Sequence, residues 1–324
     1  NKSLEKLVGY IYKWSAKIFI LDGSDSINLD VEKISKKSSN LKYFHNTDGF
    51  YSRMKLINKL IKTKYSMFMG DDEFFVKKSI EKFIKILEKN SDYACCSGVA
   101  IGFNKSKQNK IIYKEVYPNL IGYSIFDKDP KSRVVNHFSN YVPSCIYGVS
   151  RSEILKKFIK EIKYLNCSCA EIPEIWYQST SVFMGKIIVL PELYWYRSMQ
   201  NSPVKEKNWN RSIKFYEWYN NKKYNLEKKK IIKNFCKLNN EHSSKFFELA
   251  LLNYSKSLKI KGHGSFNKKI NNLFKIIKVK FLKFFDIHSS TYFDKKYLKK
   301  FLRNKNVSFN IKGINDIEKK ITQK

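Results

Sequence analysis

Gly70-Asp71-Asp72-Glu73 sets three carboxylates side by side in a chain with 63 Lys+Arg against 29 Asp+Glu. Adjacent anions repel one another unless a positive charge is shared among them. A hard divalent cation, held by one or two carboxylates and completed by substrate phosphates, meets that need. The plain alternative is a solvated acidic turn. The apolar neighbours on both sides, Tyr65 to Met69 and Phe74-Phe75, are out of keeping with such a loop. Two further polar groupings stand out, Leu21-Asp22-Gly23-Ser24 and Glu171-Ile172-Pro173-Glu174. Three positions apart on a helix, the two glutamates share one face.

The elements that must position these residues show as an alternation. Tyr65 to Met69, short and aromatic, reads as a buried strand ending at the carboxylates. Lys78 to Lys89 spaces Ile80, Phe83, Ile84 and Leu87 along one helical face. Similar patterns predict helices over 4–14, 53–61, 152–163 and 170–184. Strands are predicted over 17–21, 41–44, 93–101, 143–149 and 186–190, the last closed by Pro191. Residues 103–140 read as polar loops without a strong period. The alternation over roughly the first 200 residues predicts an α/β fold, a mainly parallel sheet with helices on both faces. Such sheets bind ligands beyond the C-terminal ends of their strands, where Asp22 and the acidic run both fall. Beyond about residue 204 strand signals vanish and Lys-rich helical patterns take over. This divides the chain into an α/β part, 1–203, and a helical C-terminal region, 204–324. The chain opens directly on a helix where a sheet of this kind normally starts on a strand, so a preceding strand is expected to be missing from this sequence.

At 324 residues with 43% hydrophobic and 15% aromatic content, the chain can bury a sizeable core, which excludes wholesale disorder. The formal charge of +34 is nearly all Lys, in a chain also rich in Ile, Asn, Phe and Tyr. That joint bias is expected of an AT-rich genome, so part of the basicity is background. The rest favours anionic partners. The six cysteines form no paired C-x-x-C half-sites for zinc. Cys95 and Cys96 fall in an apolar run as small buried hydrophobes, and a reducing cytoplasm fits best. No apolar run approaches the ~18 residues of a membrane span, and no signal peptide is visible.

Taken in order, Leu21-Asp22-Gly23-Ser24, Arg53, Gly70-Asp71-Asp72-Glu73 and Glu171-Ile172-Pro173-Glu174 resemble the motifs of nucleotide-sugar glycosyltransferases of the GT-A fold, the inverting, bacterial family-2-like kind. The resemblance covers roughly residues 4–200. It implies a Rossmann-like sheet and transfer of a sugar from a nucleotide-diphosphate donor to a hydroxyl of a surface polysaccharide or lipid-linked glycan precursor. Asp71 and Glu73 would be the outer positions of the D-x-D motif and hold Mn²⁺ or Mg²⁺, with Asp72 between them. Glu stands at the last position where Asp is usual. The metal would stabilise the departing nucleotide. Asp22, Gly23 and Ser24 would lie beside the base or ribose, although Asp-Gly-Ser is also ordinary turn chemistry. Arg53 and Arg197, the latter in Pro191-Glu192-Leu193-Tyr194-Trp195-Tyr196-Arg197, would contact phosphate. Glu171, then Glu174, would be the general base that takes the acceptor hydroxyl's proton. Glu171 also opens its helix, where a carboxylate favours the dipole. His137 is a candidate for acceptor or metal contact. The family's usual P-x-Y-N-R-type turn on the first strand is absent.

Asn272 to Ile287 interrupts a very apolar segment with Lys275, Lys278 and Lys283, a pattern of basic helices at membrane surfaces. Lys295, Lys296, Lys299, Lys300 and Arg303 follow, and each well-placed cation adds about 1 kcal/mol at an acidic leaflet. A packed helix with solvated lysines is the alternative. Two competing functions are a basic nucleic-acid-binding protein and an inactive transferase-fold scaffold. Against nucleic acid, the lysines are spread through the chain and no known binding motif is present. If 272–287 is the anchor, deleting residues 265–305 will abolish co-sedimentation with anionic liposomes.

Overall fold

The computed structural model describes residues 2–106, 108–165, 167–169, 171–200, 213–260 and 292–323. The N-terminal helix α1 (Lys2–Ile11) buries Leu4, Leu7, Val8 and Ile11, one apolar stripe. Strand β1 (Ile18–Asp22) pairs in parallel with β2 (Leu41–His45), through a crossover carrying α2 (Leu29–Lys37). The Oδ1 of Asn28 caps α2 by accepting the Val31 N–H at 3.1 Å. After β2, α3 (Phe50–Ile57) turns Arg53, Met54 and Ile57 inward.

The main sheet is built on β5 (Tyr93–Lys105), which is buried along most of its length. In parallel with it runs β9 (Lys186–Ser198). Antiparallel partners of β5 are β8 (Val149–Arg151) at Cys95-Cys96 and β6 (Ile111–Glu115) at Ile101 to Lys105. The short strands β4 (Phe74–Phe75) and β7 (Ser124–Ile125) pair with β9, and β3 (Tyr65–Ser66) with β8. Successive side chains of a strand face opposite ways. Cys95 accordingly packs with α5 (Pro130–Ser139), α6 (Ser152–Glu161) and α7 (Ile172–Met184). Cys96 packs with Phe83 and Leu87 of α4 (Lys77–Lys89).

The α/β class, with helices on both faces and a helical C-terminal region, is as expected. The pairing differs from the mainly parallel sheet predicted: β1·β2 and β5·β9 are parallel, and the other named pairings are antiparallel. Short strands that turn back on the chain need no helical crossover, so they leave no β-α-β signal in the sequence. The expected strand at Tyr65–Met69 pairs only at Tyr65-Ser66, because its partner β8 has three residues. The strand expected at 143–149 starts only at Val149. Residues 103–140, expected to be loops, hold β6, β7 and α5. Helix α5 escaped notice because its buried face, Arg133, Val134, His137 and Phe138, is half polar.

C-terminal to the sheet, α8 (Phe215–Asn220), α9 (Asn225–Leu238) and α10 (Lys245–Ile260) add Phe215, Trp218, Ile231, Phe235 and Leu251 to the core beside α5 and α7. Strand β10 (Tyr292–Phe293) then pairs with β6. Helices α11 (Lys295–Asn304) and α12 (Ile311–Thr322) pack Leu298, Leu302, Ile314, Ile317 and Ile321 against Leu7 and Ile11 of α1. Of the basic cluster, Lys295 is engaged by Asn315 Oδ1 at 2.8 Å and by Glu318, while Lys296, Lys300 and Arg303 are exposed. The segment 272–287 lies outside the described residues. Ile317→Ala is expected to cost about 2–5 kcal/mol in a urea melt, as a fully buried core position does.

Candidate active site

Asp22 ends β1, and its side chain is held by its own turn. Oδ1 accepts from the backbone N–H of Ser24 at 2.9 Å and from the Ser24 hydroxyl at 2.7 Å. Oδ2 accepts from the Tyr43 hydroxyl at 2.6 Å. Burial opposes ionisation of Asp22, but the bonds from Tyr43 and Ser24 outweigh it and hold the carboxyl below its ordinary value. A side chain at Gly23 would collide with the guanidinium of Arg53, whose Nη1 lies 2.2 Å from the Cβ position. Arg53 is itself buried, 5% exposed, and donates to the Asn46 carbonyl at 3.1 Å. Asp22, Gly23, Ser24 and Arg53 are therefore one cluster. The structure turns Arg53 inward from α3.

The acidic run lies in the turn between β3 and β4, with its three carboxylates in different surroundings. Asp71 is exposed and Asp72 half-buried, while Glu73 is buried at 6% exposure. Oε2 of Glu73 accepts the indole N–H of Trp195 at 2.9 Å. Burial, with Asp72 and Asp71 acting in the same direction, pushes Glu73 up to about 8 against the pull of Trp195 and Arg197. Among the described residues no group of three or more His, Cys, Asp or Glu is arranged to hold a metal ion. Glu73 turned inward removes it from a three-carboxylate set. Asp71 and Asp72 remain on the outer side, and two carboxylates suffice for a hard cation whose other ligands are phosphate oxygens and water.

Arg197, near the end of β9, bonds to the Tyr117 hydroxyl and lies 5.0 Å from the centre of that ring. Tyr117 adopts φ +49°, a left-handed conformation uncommon for a side chain of this size, and stacks on Trp195 at 5.5 Å. Trp195 also packs against Tyr147 at 4.6 Å. Burial raises the Tyr147 hydroxyl, and Glu73 and Glu174 act in the same direction. Both Glu73 and Glu174 act on the hydroxyls of Tyr117 and Tyr147, and Arg197 acts on all four groups.

Helix α7 presents the two candidate bases differently. Glu171 stands at the N-cap position without capping the helix through its side chain. Its Oε2 accepts the Phe215 N–H at 3.0 Å, and its Oε1 lies 3.8 Å from the Lys214 ammonium. It ties the start of α8 to α7. Glu174, half-buried, accepts at Oε1 from the Tyr141 hydroxyl and from Gln178 Nε2 at 3.4 Å. Burial raises its pKa; Glu171 adds to this, while Tyr141, Gln178 and Arg197 oppose it.

The far end of α7 is held by a residue the sequence did not single out. Arg133 of α5, 6% exposed, donates to the carbonyls of Val182 at 2.6 Å and Phe183 at 2.7 Å. These are last-turn carbonyls without partners inside the helix. Its Nη1 binds the carbonyls of Asp127 and Lys128. Tyr117, Tyr141, Trp195 and Gln178 were also missed. Aromatic side chains in apolar runs give no sign in sequence of which hydroxyl or indole N–H will face a carboxylate.

His137 is corrected outright. It is fully buried, bonded through Nδ1 to the Tyr123 hydroxyl and packed on Phe138 at 4.9 Å, out of reach of acceptor or metal. Its Nε2 has no hydrogen-bond partner among the described residues, although Gln178 lies close enough to favour the charged form. Burial lowers its pKa to about 3.

Residues 3–143 match the family model Glycosyl transferase family 2. No curated protein matches the chain. Solved structures give distant likenesses. S. aureus TarS 1–349 has a TM-score of 0.44 at 12% identity, covering 82% of this chain and 88% of that one. The same fragment in complex with UDP-GlcNAc has a TM-score of 0.45 at 14% identity, covering 74% and 70%. The longer S. aureus TarS has 0.45 at 13%, covering 81% of this chain and 51% of that one.

His137 supplies a pH test. Below about 6.5 the unfolded chain protonates this imidazole, whereas the folded chain resists until about 3. Its contribution to stability is full above 6.5 and is lost as pH falls toward 3. Relative to His137→Gln, the wild type should lose about 1.4 kcal/mol per pH unit across that window, read by urea melts.

Proposed function

From the family 2 match over residues 3–143 we infer that this glycosyltransferase moves a sugar from a nucleotide-diphosphate donor to a hydroxyl of a surface polysaccharide or lipid-linked glycan precursor, with inversion. The observation that carries the reading is the grouping of Glu73, Arg197 and Glu174 around Tyr117 and Tyr147. Glu73 is buried and Glu174 half-buried, so their charges interact with Arg197 more strongly than they would in water. In the proposal the Asp22-Gly23-Ser24 turn and Arg53 hold the nucleotide. Asp71 and Asp72 would hold a Mg²⁺ or Mn²⁺ ion arriving with the diphosphate, and that ion would take up the charge of the leaving group. Arg197 would contact the phosphates.

Glu174 is the general base. Burial raises its proton affinity, which suits removal of a proton from a hydroxyl. Glu171, engaged by Lys214 and Phe215, is the weaker candidate. Residues 1–203 would carry this chemistry and 204–324 would support it. Attachment to an anionic membrane face through the Lys-rich C-terminal segment fits an acceptor linked to lipid. No helix among the described residues is long and apolar enough to cross a membrane.

The test is transfer from a panel of nucleotide sugars with and without Mn²⁺, beside thermal midpoints. A donor that raises the midpoint only with metal, with loss of the rise in Asp71→Ala/Asp72→Ala, is the expected result. Glu174→Gln should lower kcat by about 10²–10⁴ with donor binding intact. Steeply salt-dependent binding to DNA or RNA, with no response to any donor, would overturn the reading in favour of nucleic acid.

A further inference from the structure

Glu174 is gripped on one side only. Tyr141 donates its hydroxyl to Oε1, and Gln178 Nε2 reaches the same oxygen at 3.4 Å. Gln178 Nε2 also donates to the Tyr141 oxygen at 2.5 Å, which commits the tyrosine's proton to the carboxylate. Gln178 is fully buried and fixed at its other end, its Oε1 accepting the Cys145 N–H at 3.4 Å. No hydrogen bond or ion pair among the described residues reaches Oε2.

The Tyr141 ring has little freedom to move. It stacks on Phe138 at 5.6 Å and 13°, lies against Tyr254 at 4.7 Å and meets the edge of His137 at 5.5 Å. A carboxylate held at one oxygen by a fixed donor has a defined direction for the other. For proton transfer that direction must bring Oε2 within hydrogen-bond reach of the acceptor hydroxyl.

We propose that Tyr141 is a positioning residue for the transfer reaction: by holding Oε1 of Glu174, with Gln178 orienting its proton, it turns Oε2 toward the acceptor hydroxyl. The inference rests on the reading of Glu174 as general base. In the transfer step Oε2 takes the hydroxyl proton, the freed oxygen forms a bond to the anomeric carbon, and the nucleoside diphosphate leaves with the electron pair of the broken bond. Tyr141 gives up no proton. Burial, and then the Glu174 carboxylate, hold its hydroxyl well above the ordinary tyrosine value. The other groups facing Glu174 are Glu171 on its own helix, Arg197 on β9, Tyr254 on α10 and the hydroxyls of Tyr117 and Tyr147. None of these binds Oε1.

The experiment compares wild type, Tyr141→Phe and Glu174→Gln in steady-state transfer across pH. Tyr141→Phe keeps the stacked ring and removes the hydroxyl, and with it the bond to Glu174 and the one accepted from Gln178. Without that donor the charged form of Glu174 is less favoured. The acidic limb of the kcat–pH profile should therefore move to higher pH, and kcat at neutral pH should fall about ten-fold, the usual worth of a bond to a charged group. The donor KM stays unchanged. An active Tyr141→Phe enzyme with the wild-type pH profile, beside an inactive Glu174→Gln, would sink the positioning role while leaving the base in place. Transfer surviving in Glu174→Gln would remove the base itself, and the proposal with it. If Tyr141→Phe fails to fold, Gln178→Met reads the same bond from its other side. It is expected to shift the limb in the same direction, and an unshifted limb there overturns the proposal.

Discussion

The parallel pairing of β5 with β9 is the constraint on which the site depends. Two strands of thirteen residues each run side by side. A parallel pair has to be joined by a crossover, and here the crossover from Lys105 to Lys186 brings in α5, α6 and α7. The same pairing sets β9 beside β4, so the acidic turn faces Trp195 and Arg197 from 122 to 124 residues away in sequence. The ladder shifts register at three places, and the widest gap falls opposite Pro191, where β9 bulges between Val189 and Leu193. Gly98 makes that bulge possible, since a Cβ there would lie 2.3 Å from the Glu192 carbonyl oxygen. Proline has no N–H to give to a ladder and is tolerated where the ladder is interrupted.

Around this spine, polar groups occupy positions that periodicity would assign to core. Arg133 satisfies carbonyls at the C-terminal end of α7, and Glu174 near the other end is held by Tyr141. The helix is thus fixed along its length by partners from α5 and the loop just after it. Under the proposed reading of Glu174 as general base, fixing the backbone in this way matters because a base displaced by about 1 Å can lose about two orders of magnitude in rate. Glu73 shows the same use of burial. With its carboxyl inside and bonded to Trp195, it faces Arg197 across a medium that screens less than water.

The described C-terminal residues 292–323 are packed into the fold. Strand β10 extends the sheet edge at β6, and α11 and α12 close the apolar face of α1. The lysines on α11 divide accordingly. Lys295 is bonded to α12, and Lys296 and Lys300 remain at the surface.

The sequence by itself determined the α/β class, the approximate places of its longer elements, and the three groups of polar residues at or beside strand and helix ends. These are local properties, written in the spacing of Ile80, Phe83, Ile84 and Leu87 or in the abrupt change from Met69 to Asp71. The mixed pairing of the sheet, the helix hidden behind Arg133 and His137, and the unequal environments of Asp71, Asp72 and Glu73 were decided only by tertiary structure. So was the contrast between Glu171, tied to Phe215, and Glu174, gripped by Tyr141. The reason is physical. A side chain's charge state and direction depend on what desolvates and bonds it, and here those partners come from 33 to 122 residues away, beyond the reach of any local pattern.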